Sequence, residues 1–171
     1  QVQREESGAS FSAASVPGFG IRLKKDLSLR DVLIAYPYAN TLYVLKMKGR
    51  LLREYIEYSA SYFAKNGDEI CVSKRFLLPK AAHYNYDYFS GFYYALDINK
   101  PVGERLVRFS YMDGEAIDDE DEIEICVNSY RAKGSGGYDF IKNAEVVREI
   151  NIDMAEIIIN YLLKHKLCIV D

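Results

Sequence analysis

Ile123-Glu124-Ile125-Cys126-Val127-Asn128-Ser129-Tyr130-Arg131-Ala132-Lys133-Gly134-Ser135-Gly136-Gly137-Tyr138 carries a strand-like run straight into a polar, glycine-rich turn. The first five residues alternate apolar and charged before an apolar end, as in a strand with one face in a core. The three glycines permit positive φ and close backbone approach, and the flanking tyrosines offer flat faces for stacking. A solvated surface loop would use the same residue types. The ligand-facing reading gains weight from a second tyrosine-bearing polar turn, Tyr36-Pro37-Tyr38-Ala39-Asn40, far earlier in the chain.

Working outward, Ser10 to Val16 reads as an extended entry segment, followed by the turn Pro17-Gly18-Phe19-Gly20. A short helix over Leu27 to Leu33 has Ser28 near its N-cap and is stopped by Pro37. Thr41 to Met47 is a strand, with β-branched and aromatic residues at Thr41, Tyr43 and Val44. Apolar residues at 51, 52, 55, 56, 60, 62 and 63 predict an amphipathic helix over Arg50 to Ala64, closed by Asn66-Gly67. Ile70 to Val72 reads as a brief strand. Phe92 to Ile98 and Arg105 to Met112 read as paired strands joined through Asn99 to Glu104, and Asp113-Gly114 as a tight hairpin turn. Asp153 to Glu156 fits a capping box before a last helix bearing Ile157, Ile158, Tyr161 and Leu162. Leu167 to Val170 is a candidate terminal strand. Hairpins among the central strands favour α+β over a doubly wound parallel sheet. The expected fold is one domain over residues 9–171, a mixed sheet flanked by helices, with residues 1–8 a frayed or linker end.

Composition narrows the function classes. The chain has 171 residues, 49% hydrophobic and 27% charged, which suits one soluble domain. No apolar run approaches the ~20 residues of a membrane span, and no signal peptide opens the chain. Gln rather than Met at position 1 reads as a cut from something longer. A net charge of −3 without a basic stripe argues against a nucleic-acid polymer as partner. Cys71, Cys126 and Cys168 are odd in number and lack metal spacing. Cys71 and Cys126 fall in strand-like runs and read as buried free thiols. Tyrosine is the outlier, at 15 residues beside 8 Phe and no Trp. Most of these rings read as filling between sheet and helices.

Catalytic and metal-ligating candidates are absent from the sequence. His165 lies at a helix end, where a cation complements the dipole, and His83 precedes the tyrosine cluster Tyr84 to Phe89. Two isolated histidines do not assemble a dinuclear hydrolase centre. The acidic residues between Asp113 and Glu124 do not match EF-hand spacing and read as a solvated turn. What remains is a binding constellation of Arg22 after a glycine turn, Tyr38 with Asn40, and Tyr130 with Arg131. Two aromatic faces across a cleft sandwich a nucleobase, each worth roughly 1–3 kcal/mol per base. An Asn side chain can read a base edge, and a guanidinium matches a phosphate.

Phe11-Ser12-Ala13-Ala14-Ser15, Gly18-Phe19-Gly20-Ile21-Arg22, Tyr36-Pro37-Tyr38-Ala39-Asn40-Thr41-Leu42, Tyr84-Asn85-Tyr86-Asp87 and Asn128-Ser129-Tyr130-Arg131-Ala132 occur in this order. Together they resemble the C-terminal domain of bacterial 5'-nucleotidases, especially 2',3'-cyclic-nucleotide 2'-phosphodiesterase/3'-nucleotidases, from about Phe11 to Leu163. The resemblance implies a hydrolase of nucleotide catabolism, in which this part recognises the nucleotide and carries no catalytic or metal-binding residue. An N-terminal metallophosphoesterase domain of the same polypeptide, outside this chain, would hold two divalent metal ions and the catalytic His–Asp pair. It also implies that Tyr38 and Tyr130 clamp the base, Asn40 lies beside it and Arg22 contacts the ribose–phosphate side. Two tyrosines look more like the cyclic-phosphodiesterase branch than the phenylalanine-clamped one. The chain departs from the pattern at Gly136, where the 5'-nucleotidase branch places an Asp that contacts the nucleoside, and at Gly18-Phe19-Gly20, which stands in place of three consecutive glycines. The fragment itself is expected to need no cofactor, insert in no membrane and hydrolyse nothing alone. Export to the periplasm or cell wall follows from family analogy. The alternative is a binding or scaffolding module that keeps the fold without the ligand.

Overall fold

A computed structural model describes residues 1–15 and 27–165; the expected turn Gly18 to Gly20, Arg22, Cys168 and the strand Leu167 to Val170 lie outside them. The helices are α1 (Val2–Ser7), α2 (Leu29–Ala35), α3 (Gly49–Ala60), α4 (Ser129–Ala132) and α5 (Met154–His165). The strands are β1 (Phe11–Ser15), β2 (Leu42–Lys48), β3 (Phe63–Asn66), β4 (Glu69–Val72), β5 (Asp87–Ser90), β6 (Tyr93–Leu96), β7 (Leu106–Ser110), β8 (Glu122–Asn128) and β9 (Glu145–Ile150). Five of them form one sheet in the order β5-β1-β8-β2-β9. Only β1 and β8 run parallel; the other pairs are antiparallel. The expected α+β class with a mixed sheet is therefore what the chain adopts. Its hairpins are two separate ribbons, β3-β4 and β6-β7.

Alternation along the inner strands sends side chains into two cores. Leu45 and Met47 of β2 and Ile123, Ile125 and Val127 of β8 pack on one face with Leu52, Tyr55 and Ile56 of α3. Leu42, Val44 and Cys126 point to the other face, against Met154, Ala155, Ile157 and Ile158 of α5 and Val32 of α2. Each inner strand is apolar on both sides because helices cover both faces. Glu57 of α3, buried beneath the β6-β7 ribbon, accepts from the backbone N–H groups of Gly103 and Leu106 at 2.8 and 2.5 Å and so docks the ribbon on the helix.

Several local expectations hold, and four are corrected. Ser28 caps α2 in a reciprocal box with Asp31, and Asp153 accepts from the Ala155 N–H at the start of α5 at 2.8 Å. Residues 2–7 are not a frayed end: they form α1, with Gln3 and Ser7 buried against the α5 face of the sheet. Helix α3 ends at Ala60 rather than Ala64, because Phe63 to Asn66 pairs with Glu69 to Val72; Gly67, at φ 63°, turns that hairpin instead of capping a helix. Cys71 is exposed on this ribbon, whereas Cys126 is buried as expected. Finally, the acidic turn is more than a solvated loop, since the Asp121 and Asp119 carbonyls accept from the first N–H groups of α3, those of Gly49 and Arg50, at 2.9 and 3.0 Å.

Candidate functional site

Strand β2 enters the sheet at Leu42, and β8 leaves it at Asn128; these two residues are register partners. The turn before β2 and the turn after β8 therefore emerge at the same end of the sheet, whatever their separation in sequence. Beyond the last rung, the Ser129 N–H donates to the Thr41 carbonyl at 2.8 Å, and the Thr41 N–H donates to Ser129 Oγ at 3.2 Å. The Ser129 hydroxyl also reaches Asn40 Oδ1 at 3.4 Å. Asn40 is fixed from behind as well, its carbonyl accepting from the Met154 N–H of α5 at 2.8 Å. Asn128 Oδ1 caps α4 by accepting from the Arg131 N–H at 2.8 Å, which sets the turn bearing Tyr130.

Between these turns and the α1–α5 face of the sheet lies a cavity of about 610 Å³, within the roughly 300–1,000 Å³ range of small-ligand sites. Ser12 and Ala14 of β1 and Tyr88, Phe89 and Ser90 of β5 line it, with Val2 and Gln3 of α1 and Met154 and Ile158 of α5. Tyr38, Asn40, Asn128 and Tyr130 line its mouth together with Tyr36, Lys80 and Tyr84. Tyr38 and Tyr130 are 59% and 37% exposed, so neither ring is spent on the core. Burial pushes the Tyr130 phenol above its ordinary pKa; Tyr84 and, more weakly, Tyr38 push the same way, while Arg131 opposes them. Tyr36 is raised by burial alone. The upward shifts keep the Tyr130 and Tyr36 phenols protonated at physiological pH.

Arg131 and Gly136 are not among the residues that line the cavity. Arg131 is 1% exposed, and its guanidinium donates to both carboxylate oxygens of Asp87, from Nε at 2.6 Å and from an Nη at 2.7 Å. Its remaining donors meet the Ser135 carbonyl at 2.7 Å and the Tyr84 carbonyl at 3.3 Å, and the group lies 3.9 Å over the Tyr138 ring. Asp87 takes a further bond from the Tyr55 hydroxyl at 2.6 Å. Arg131 is thus a buried tie joining the 84–87 segment to the loop bearing Tyr130. Gly136, at φ 78°, packs on that tie: a Cβ there would come within 2.3 Å of Asn85 Oδ1 and 2.5 Å of an Arg131 nitrogen. Its lack of a side chain serves this packing. The other two glycines of this loop also take positive φ, at 79° for Gly134 and 89° for Gly137.

Of the six residues named from sequence, Tyr38, Asn40 and Tyr130 come together at the cavity, Arg131 and Gly136 support it from beneath, and Arg22 is outside the described residues. Tyr36, Tyr84 and Lys80 join them at the cavity; Tyr36 and Tyr84 begin motifs quoted above, whereas Lys80 lies in none. His83 is bonded through its ring to the Tyr62 hydroxyl at 2.7 Å, and His165 pairs with Glu5 at 3.3 Å. Among the described residues no group of three or more His, Cys, Asp or Glu side chains is placed to hold a metal ion, and no helix is long and apolar enough to cross a membrane.

Comparison with known proteins gives this geometry a family. The sequence model of the family described as 5'-nucleotidase, C-terminal domain, matches residues 1–143. A trifunctional nucleotide phosphoesterase, YfkN of Bacillus subtilis, is 27% identical over 82% of this chain and 10% of its own. A 2',3'-cyclic-nucleotide 2'-phosphodiesterase/3'-nucleotidase of Haemophilus influenzae is 33% identical over 75% of this chain and 22% of its own. In three dimensions the chain superposes on a candidate 5'-nucleotidase from Staphylococcus aureus, solved with alpha-ketoglutarate, with a TM-score of 0.88 and 37% identity, covering 95% of this chain and 32% of that one. The chain accordingly spans only a small part of the length of these curated relatives. It belongs to the 5'-nucleotidase C-terminal domain family.

Proposed function

We propose that this chain is the nucleotide-recognition part of a larger metal-dependent nucleotidase or 2',3'-cyclic-nucleotide phosphodiesterase. The observation that carries the reading is the opening of Tyr38 and Tyr130, from two distant turns, into one cavity. The two rings there can take a purine between their faces, and Asn40, held by Ser129 and by α5, can present its amide to the base edge. Arg22 would meet the ribose–phosphate side. The hydrolytic step belongs to an N-terminal metallophosphoesterase domain of the same polypeptide, where two divalent ions would supply an activated water and polarise the phosphoryl oxygens. This chain's part is to bind and orient the nucleoside, and to hydrolyse nothing by itself. Export follows the same family analogy.

Replacing Tyr38 or Tyr130 by Ala is expected to weaken adenosine binding roughly tenfold, through loss of one stacking face. Isothermal titration that returned the parent affinity for both variants would remove the base clamp.

A further inference from the structure

Resting on the nucleotide-recognition reading, we infer that Lys80 is an anion-binding residue of this cavity, and that it strengthens the site's preference for a nucleotide's phosphate over the bare nucleoside. Among the described residues that line the cavity, Lys80 is the one charged side chain; the others are aromatic, aliphatic, hydroxyl or amide. No carboxylate shares that lining, and Lys80 forms no ion pair among the described residues. A cationic side chain on a concave, mostly apolar wall sets up a field that draws a compact oxyanion inward.

The backbone holds Lys80 at this wall. Phe76 is buried with its ring 5.2 Å from that of Tyr62, and its carbonyl accepts from the Ala82 N–H at 2.8 Å, which closes the loop carrying Lys80. The next turn is closed by the Asn85 N–H on the Ala82 carbonyl at 2.9 Å and leads to Tyr84, whose own carbonyl is tied to Arg131. Lys80 and Tyr130 are thereby referred to the same buried Arg131. A base between Tyr38 and Tyr130 would leave its phosphate to an ammonium on the same mouth. Lysine suits this role as a mobile point charge with three donors.

The test is titration calorimetry of the 171-residue chain with adenosine, 3'-AMP and inorganic phosphate. The parent should bind 3'-AMP about tenfold more tightly than adenosine at low ionic strength, a preference that shrinks at about 0.5 M salt. Lys80→Gln should cut the preference for 3'-AMP over adenosine severalfold, and Lys80→Glu should cut it further, with melting curves of both variants like the parent's. A preference for 3'-AMP that is undiminished in Lys80→Gln overturns the assignment while leaving the base clamp standing. Inorganic phosphate binding as tightly as 3'-AMP also overturns it, because the site would then read free anions rather than nucleotides. If Tyr38→Ala and Tyr130→Ala bind as the parent does while the Lys80-dependent preference persists, the base clamp alone fails. Absence of heat with both adenosine and 3'-AMP sinks both proposals.

Discussion

Arg131 is a cation with almost no access to water, and it is held there by a two-pronged contact with Asp87. Removing one charge of such a pair leaves the other buried and uncompensated, which costs about 3–5 kcal/mol. Asp87→Asn should therefore lower the unfolding free energy by about that amount in urea denaturation. A loss below about 1 kcal/mol would mean that the pair is not the tie described here. The sequence displays the arginine but hides its partner, which lies 44 positions away. A guanidinium beside a tyrosine reads equally as a phosphate contact or as a core anchor, and only burial separates the two. Thiol chemistry offers a second check. Burial pushes the Cys126 thiol up to about 11, so little thiolate exists near pH 8, while Cys71 is exposed on its ribbon. Brief alkylation of the native protein, mapped by mass spectrometry, should modify Cys71 and spare Cys126 until denaturant is added.

Helix α3 begins on Gly49, where a Cβ would stand 2.0 Å from the Asp118 carbonyl oxygen. The acidic turn can cap the helix only because that space is empty. Gly49→Ala must push the turn away and disturb the bonds from Gly49 and Arg50, a cost of at least about 2 kcal/mol in chemical denaturation. Arg50→Ala loses only an exposed pair with Glu120 and should cost less than about 1 kcal/mol. Equal effects would contradict the capping account. Elements with a buried stripe, such as β2, β8 and α5, were readable from spacing because burial writes the period into the sequence. Edge strand β9 was not, since residues 145–149 are all exposed and show no alternation. The end of α3 is ambiguous in sequence because Tyr62 and Phe63 satisfy a helical stripe as well as a strand. Polar Gln1 to Gly8 gave no sign of α1, whose buried members are Gln3 and Ser7 rather than a row of aliphatics.

At the scale of the whole molecule, the sheet order turns two distant tyrosine turns into one mouth. Neither turn announces this, because the pairing of Leu42 with Asn128 is a property of topology rather than of local pattern. Motif order supplied the link that spacing lacked, and for that reason Tyr38, Asn40 and Tyr130 were named while Lys80, which belongs to none of the quoted motifs, was not. A ligand held across this mouth bonds to turns fixed on β2, β8 and the 84–87 segment at once, contacts that exist only in the folded chain. Binding must then raise global stability by RT ln(1 + [L]/Kd), which is about 1.4 kcal/mol at tenfold excess over Kd. For a domain of this size that corresponds to a rise in Tm of about 3–6 °C. 3'-AMP at that excess should give such a shift in the parent chain and little or none in a Tyr38→Ala/Tyr130→Ala variant of matched starting Tm. An equal shift in both proteins would place the ligand away from the tyrosine mouth, and with it the recognition surface.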